Sequence, residues 1–148
     1  MKRTLLLDID FTLFYYNTPR PYLKAFLERH RENFDIYFYT AANHQRVVEI
    51  CRILFHQFKM DNEFVRNLNR FSLHRENCPM INYKKPDGSY IEIKCLRIAA
   101  KTLNVPFETI ILFDDAPNYD HPDKDKIIQA EGFDGDLNDN YLSILDIQ

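Results

Sequence analysis

The sequence predicts an α/β domain built on a mostly parallel central sheet wrapped by helices on both faces. Three observations carry that expectation. Short strand-like runs alternate with segments whose apolar residues recur at helical spacing, the pattern of βαβ units. The stretches 5–7 and 110–113 are apolar throughout, as strands buried on both faces are. Three of the strands end in polar groups, Asp8 with Asp10, Thr40, and Asp114 with Asp115. Open α/β sheets bind their ligands at strand carboxyl ends, so these endings would share one rim.

The elements follow in order. Residues 3–9 read as a buried strand closed by acids. Residues 11–18 read as a tight loop exposing Phe14, Tyr15 and Tyr16. Thr18 is placed to cap a helix with Pro19 at its first position, where a missing N–H costs nothing. Tyr22, Leu23, Phe26, Leu27 and His30 give that helix an apolar face to about residue 33. A strand over 35–40 follows, then a helix over 43–58 carrying Val47, Cys51, Leu54, Phe55 and Phe58. Residues 61–69 match no pattern, and 70–74 suggest a short strand. Lys84 to Gly88 reads as a hairpin turn between 80–83 and 89–93. A third helix over 95–103 stops at Asn104 and Pro106. Strands are expected at 109–113 and 125–130. A closing helix is expected over 136–147, with Leu137, Tyr141, Leu142 and Leu145 inward.

Composition narrows the function. The 148 residues suit one domain, 1–148, and an apolar fraction of 45% with 14% aromatics supplies a packed core. A net charge of −3 gives no footprint for general nucleic-acid or anionic-membrane binding. No apolar run reaches the length of a membrane span. Cys51, Cys78 and Cys95 form neither a disulfide framework nor a zinc pattern, which fits a reducing, intracellular compartment, the cytoplasm, or the nucleus if the source is eukaryotic. None has Arg six positions on (Gln57, Lys84 and Lys101 stand there), so the cysteine-phosphatase signature is absent. The only glycines are Gly88, Gly132 and Gly135, too few for a dinucleotide fingerprint or a Walker A loop.

The chemistry lies in the acids. Asp8 and Asp10, two apart on an extended backbone, can emerge on one side at the strand end. Adjacent carboxylates repel unless a cation sits between them, and Mg²⁺, which takes oxygen ligands, fits. Lys94, at the exit of the hairpin and the start of the third helix, brings a positive charge near a helix N-terminus. His121 lies in a loop beyond the second acid pair, as a solvated turn or in touch with substrate. Tyr15, Tyr16 and Arg20 can form a substrate wall or serve only as the helix-capping loop.

Asp-x-Asp-x-Thr, Thr, Lys and Asp-Asp, in this order and across nearly the whole chain, resemble the four motifs of the haloacid dehalogenase (HAD) superfamily of phosphohydrolases. Within it the chain resembles the NLI-interacting-factor-like phosphatases, which include the small phosphatases of the RNA polymerase II C-terminal domain. The family's Leu-Asp-Leu-Asp-Glu-Thr-Leu is similar to residues 7–13, its Arg-Pro to Arg20-Pro21, and its Phe-Leu to Phe26-Leu27. Its Phe-Thr-Ala resembles Tyr39-Thr40-Ala41, its Arg-Glu-Ser-Cys resembles Arg75 to Cys78, and its acids before Ser-Pro resemble Asp114 to Pro117. Phe11 stands where Glu is usual, Cys95 where Asp follows the motif lysine, and Ala116 where Ser is usual. The stretch from Lys94 to Asp114 is longer than in that family and is similar to the magnesium-dependent phosphatases of the same superfamily.

The resemblance implies a HAD-like, Rossmannoid three-layer α/β/α sandwich with no large cap and a small β insertion between residues 70 and 93. Length agrees: about 30 residues separate the first acid pair from Thr40, and one helix with one strand uses most of them. By the same resemblance, Asp8 is the nucleophile that becomes an aspartyl-phosphate and Asp10 is the acid and base. Thr40, Ala41, Lys94 and Thr12 surround the phosphate, and Mg²⁺ is held by Asp8, the Asp10 carbonyl, Asp114 and Asp115. The expected reaction is hydrolysis of a phosphomonoester, with an open site suited to phosphoproteins. A small phosphometabolite, a nucleic-acid terminal phosphate, or a non-catalytic Mg²⁺-binding phosphoacceptor domain are the alternatives. No membrane partner is expected.

Overall fold

The structure is a computed structural model that describes residues 2–78, 87–88, 93–116 and 121–148. Its central sheet has four parallel strands, β1 (Arg3–Leu7), β4 (Phe34–Phe38), β5 (Ile110–Asp114) and β6 (Ile127–Gln129), in the order β4-β1-β5-β6. A two-residue antiparallel hairpin, β2 (Phe14–Tyr15) with β3 (Thr18–Pro19), stands beside it. The helices are α1 (Leu23–His30), α2 (His44–His56), α3 (Asn62–Phe71), α4 (Leu96–Leu103) and the single turn α5 (Tyr141–Ile144).

The alternation of β1 assigns the layers. Leu5 and Leu7 face a core that includes Phe26 and Leu27 of α1, Val47 and Leu54 of α2, Leu68 of α3 and Leu142 of α5. Leu6 faces the other side, with Leu112 of β5 and Leu96, Ala99 and Ala100 of α4. All three leucines are fully buried, each stabilising the fold by about 1.5–3 kcal/mol relative to exposure. From β1 the chain moves outward to β4, then returns to β5 on the other side. β1 is therefore the topological switch point, where a crevice opens at the carboxyl ends. Among the described residues no helix is long and apolar enough to cross a membrane.

Several expectations change. Thr18 and Pro19 do not open α1: they pair with Phe14 and Tyr15, an edge position that tolerates proline. The hairpin lets Phe14 turn inward and become fully buried, while Tyr16 is exposed. Tyr22, expected on the helix face, instead precedes α1 in a left-handed conformation and is exposed. Residues 62–71 form α3, with the Asp61 side chain accepting from the Glu63 N–H at 3.1 Å. The strand expected over 70–74 reduces to one bridge between Leu73 and Tyr39, because Arg70 and Phe71 finish the helix.

The helix expected over 136–147 survives only as α5, and Leu137 is exposed. Asp134, Asp136 and Asp139 each accept from the backbone N–H two residues on, at 3.0, 2.9 and 3.1 Å. Such local bonds give the backbone an alternative to helix. The hairpin strands expected at 80–83 and 89–93 fall almost entirely outside the described residues, although Gly88 has a φ of 91°.

Candidate active site

The register of the sheet builds the site. Leu7 pairs with Phe38 on one side and Phe113 on the other. The residues that follow, Asp8, Tyr39 and Asp114, therefore stand side by side at the carboxyl end of the sheet. The Asp8 N–H donates to the Phe113 carbonyl and the Tyr39 N–H to the Leu7 carbonyl, both at 2.9 Å, so the ladder runs up to the rim. Asp8 and Asp114 are 7% and 5% exposed, far too buried for two carboxylates left alone.

Lys94 answers that charge. Its ammonium donates to Asp8 Oδ1 at 2.5 Å and to Asp114 Oδ2 at 2.7 Å. Burial would lower the lysine's pKa, but the two carboxylates outweigh it and hold the pKa above the usual lysine value. Asp8 remains pushed up to about 8, by its own burial first and by Asp114, against the lowering effects of Lys94 and Thr12. One lysine does not neutralise the cluster.

Thr12 adds a third contact. It is fully buried, and its hydroxyl lies 2.7 Å from Asp8 Oδ2 and 2.8 Å from Asp115 Oδ1, while accepting from the Asp115 N–H at 3.0 Å. A hydroxyl has one proton, so it satisfies only one of these oxygens at a time. Oxygens of Asp8, Asp114 and Asp115 lie within 4.8 Å of one another. An all-oxygen donor set with surplus negative charge fits a hard divalent cation such as Mg²⁺. Ala116 N–H donates to Asp114 Oδ1 at 3.0 Å and fixes that carboxylate.

The other expected residues gather on the same cavity, about 290 Å³ in volume. Asp8, Asp10, Thr40, Ala41, Lys94, Asp114 and Asp115 all line it. Thr12 does not line it and sits beneath the carboxylates. Thr40 accepts from the Ala42 N–H at 3.1 Å, a local turn that shapes the segment leading to α2. Tyr39 joins the two sides of the site: its hydroxyl donates to the Asn77 carbonyl and accepts from the Cys95 N–H at 3.1 Å.

Three further residues take parts that the sequence did not assign. Arg46 of α2 places Nε and Nη2 on Asp10 Oδ1 at 3.0 and 2.8 Å. The same guanidinium donates to the Tyr16 carbonyl, to Asn17 Oδ1 at 2.8 Å and to Glu49 Oε2 at 3.2 Å. His121 is buried and lines the cavity. Its Nδ1 accepts from the Asp123 N–H at 3.0 Å, so Nε2 carries the proton and donates to the Lys94 carbonyl at 2.8 Å. Arg20, one of the residues considered for a substrate wall, is fully buried and bonded to Asp139, Thr12 and Glu131. Arg46 left a faint signal, a cation six residues past Thr40. His121 and Arg20 stand in the sequence as candidates for touching substrate, and the partners that hold them, 27 and 119 residues away, leave no local trace.

Comparison with known proteins bears on the family and the fold. No curated protein sequence matches the chain. Among solved structures, fission yeast RNA polymerase II CTD phosphatase Fcp1, an alanine variant bound to beryllium fluoride, is similar with a TM-score of 0.56 at 13% identity. A second structure, of Fcp1 described as an essential RNA polymerase II CTD phosphatase, gives 0.56 at 12%. Each match covers 89% of this chain and 42% of the other, so the chain spans about two fifths of those proteins. At such identity the likeness shows the fold alone, a parallel α/β sheet flanked by helices. A family model does more, for it matches residues 3–147, and by that match the chain belongs to the NLI interacting factor-like phosphatase family.

Proposed function

We propose that the chain is a Mg²⁺-dependent phosphomonoester hydrolase working through an aspartyl-phosphate on Asp8, with a phosphoprotein as substrate. The observation that carries this is the Asp8 carboxylate, aimed at the cavity, with Lys94 on one oxygen and Thr12 on the other. The solved structures it resembles are described as phosphatases of a polymerase tail, which supports a phosphorylated protein as the substrate class.

In this reading the phosphate enters the cavity between Lys94 and Thr40. Asp8 attacks phosphorus, the bond to the leaving oxygen breaks, and Asp10 gives that oxygen a proton. Asp10 then takes a proton from water as the water attacks the phosphoryl group, releasing inorganic phosphate and restoring Asp8. A carboxylate nucleophile splits one hard displacement into two easier ones. Asp8, Asp114, Asp115 and the Asp10 carbonyl would hold the metal. Bound there, Mg²⁺ would keep Asp8 ionised and neutralise charge on the phosphate oxygens. Lys94 orients phosphate, Thr12 orients the Asp8 and Asp115 carboxylates, and His121 holds the Lys94 backbone. Phosphoryl transfer needs positioning and charge neutralisation above all, and this set supplies both.

The test is hydrolysis of p-nitrophenyl phosphate with Mg²⁺ and with chelator, by the native chain and by Asp8→Asn. Metal-dependent turnover that disappears in Asp8→Asn is expected. Turnover that survives the substitution overturns the assignment of the nucleophile. No turnover with any metal shifts the site to a phosphoacceptor or binding role.

A further inference from the structure

We infer that Phe11 makes this site selective for phosphate monoesters of aromatic alcohols, phosphotyrosine being the protein side chain of that class. The inference rests on the phosphatase reading and adds the substrate's chemistry.

Phe11 follows Asp10 directly and lines the same cavity as Asp8, Thr40 and Lys94. Its φ is +64°, a left-handed conformation that glycine adopts freely and a bulky residue does not. The backbone is fixed there from both ends. The Phe11 N–H donates to the Phe14 carbonyl at 2.7 Å, and its carbonyl accepts from the Phe133 N–H at 2.6 Å. The fold thus requires the strained conformation, and the sequence fills it with an aromatic ring. Burial of that ring does not repay the strain, because Phe11 is 48% exposed. Strained residues cluster at active sites, and of the described non-glycine residues with positive φ Phe11 is the one that lines this cavity.

The ring's surroundings say what it would contact. Asp10, its neighbour, is the group that protonates the leaving oxygen, so Phe11 stands on the leaving-group side of the phosphate. Tyr15 supports it at 6.0 Å between ring centroids, and Tyr16 meets Tyr15 edge-on at 4.8 Å. Ala41, Ala42 and Ala116 also line the cavity and leave room for a ring. A cavity of about 290 Å³ stands at the low end of ligand pockets, which run from roughly 300 to 1,000 Å³. That suits a phosphate and one ring better than a whole nucleotide. An aryl group offers Phe11 an offset or edge-to-face partner, and the seryl methylene offers none. The reaction is unchanged: the aryl C–O bond stays intact, the P–O bond breaks, and the phenol leaves with the proton from Asp10.

The experiment separates this contact from the easier departure of a phenol. Affinity for phenylphosphonate and for methylphosphonate is measured by calorimetry on the native chain, Phe11→Leu and Phe11→Gly. In parallel, kcat/KM is measured for one peptide carrying phosphotyrosine or phosphoserine. The native chain should prefer the phenyl compound, and both substitutions should reduce that preference by about threefold to tenfold. The phosphotyrosine-to-phosphoserine ratio should fall with it, mainly through KM. Phe11→Gly should melt no lower than the native protein, since the strain is removed. Equal affinities in the native chain, or a preference that survives both substitutions, overturn the inference. The phosphonates bind without turnover, so loss of all hydrolysis would refute the phosphatase reading and still leave this contact measured.

Discussion

Arg20 and Asp139 lie 119 residues apart and meet in a bidentate ion pair, Nε to Oδ1 at 2.9 Å and Nη2 to Oδ2 at 3.0 Å. The guanidinium has no exposed surface and lies over the Phe133 and Tyr141 rings, with its carbon 5.4 and 4.6 Å from their centroids. Its remaining donor, Nη1, reaches the Thr12 carbonyl at 2.9 Å and the Glu131 carbonyl at 2.7 Å. One side chain therefore ties the loop after Asp8 to the carboxyl-terminal segment. Burial would raise the pKa of Asp139, but Arg20 and the Tyr141 N–H outweigh it and hold the carboxyl below its usual range.

Removing either partner should be costly. Asp139→Ala leaves a buried cation without its counter-ion, and Arg20→Ala leaves two carbonyls unpaired beside a cavity. Each should lose about 3–5 kcal/mol in urea unfolding. Arg20→Lys should recover only part of this, because an ammonium cannot reproduce the planar fork. A loss under 1 kcal/mol for Asp139→Ala would show that the pair is incidental.

Arg46 should matter to the reaction more than to the fold. Its guanidinium donates to the Asp10 carboxylate, and it binds the hairpin turn through the Tyr16 carbonyl and Asn17. Without it Asp10 loses its fixed position. Misplacing a catalytic group costs about 100-fold. Arg46→Ala should lower kcat by about that factor for alkyl phosphates, whose leaving oxygen needs the proton. The loss should be much smaller for p-nitrophenyl phosphate. An equal loss on both substrates would mean that Arg46 acts elsewhere.

How much of this was legible in the sequence follows from the range of each interaction. The apolar runs at β1 and β5 and the polar groups at their ends are local features, and the structure brings those groups together as expected. The apolar stripe of α3 is only Phe64, Val65 and Leu68 among polar neighbours, too thin for periodicity to register, although Asp61 is a conventional cap. The carboxyl-terminal segment has helical spacing, but its aspartates hold successive backbone N–H groups and Asp139 is drawn to Arg20. Periodicity cannot see that partner. The same limit hid Arg46, whose partner lies 36 residues away on another element.

His30 should give stability a pH dependence away from the site. Its Nδ1–H donates to the Phe26 carbonyl and its Nε2 accepts from the Ile147 N–H, both at 2.9 Å, so the neutral ring staples the chain end to α1. Asp146 approaches Nε2 at 3.7 Å, and Arg29 also faces it. Burial first, and Arg29, pull the pKa below 6.5 against the effects of the Phe26 carbonyl and Asp146. The folded chain thus holds the proton less tightly than the unfolded one. The contribution is complete above the unfolded value near 6.5 and is lost as the pH falls below it through the folded value. Protonation also removes the acceptor for Ile147. Unfolding free energy measured from pH 7.5 to 5 should fall with a slope approaching about 1.4 kcal/mol per pH unit from this group. Subtracting the same series for His30→Gln isolates it, and parallel curves would remove His30 as the cause.

Gly132 and Gly135, which lie against Phe11 and Tyr15, should answer differently to alanine. Gly135 has a φ of +93°, and a Cβ there would stand 2.8 Å from Tyr15 Cδ1 and 3.3 Å from Cγ. Both the backbone and the Tyr15 ring must give way. Gly135→Ala should cost about 1–3 kcal/mol. At Gly132 a Cβ would meet Asp115 Oδ2 at 3.9 Å and the Phe11 carbonyl at 4.0 Å, which is ordinary contact. Gly132→Ala should stay within about 0.5 kcal/mol of the native protein. Because Tyr15 backs the Phe11 ring, Gly135→Ala should also weaken phenylphosphonate binding, and Gly132→Ala should not. Thermal melts and the same calorimetry read both effects. If Gly135→Ala lowers stability and leaves phenylphosphonate affinity intact, Tyr15 does not set the position of Phe11.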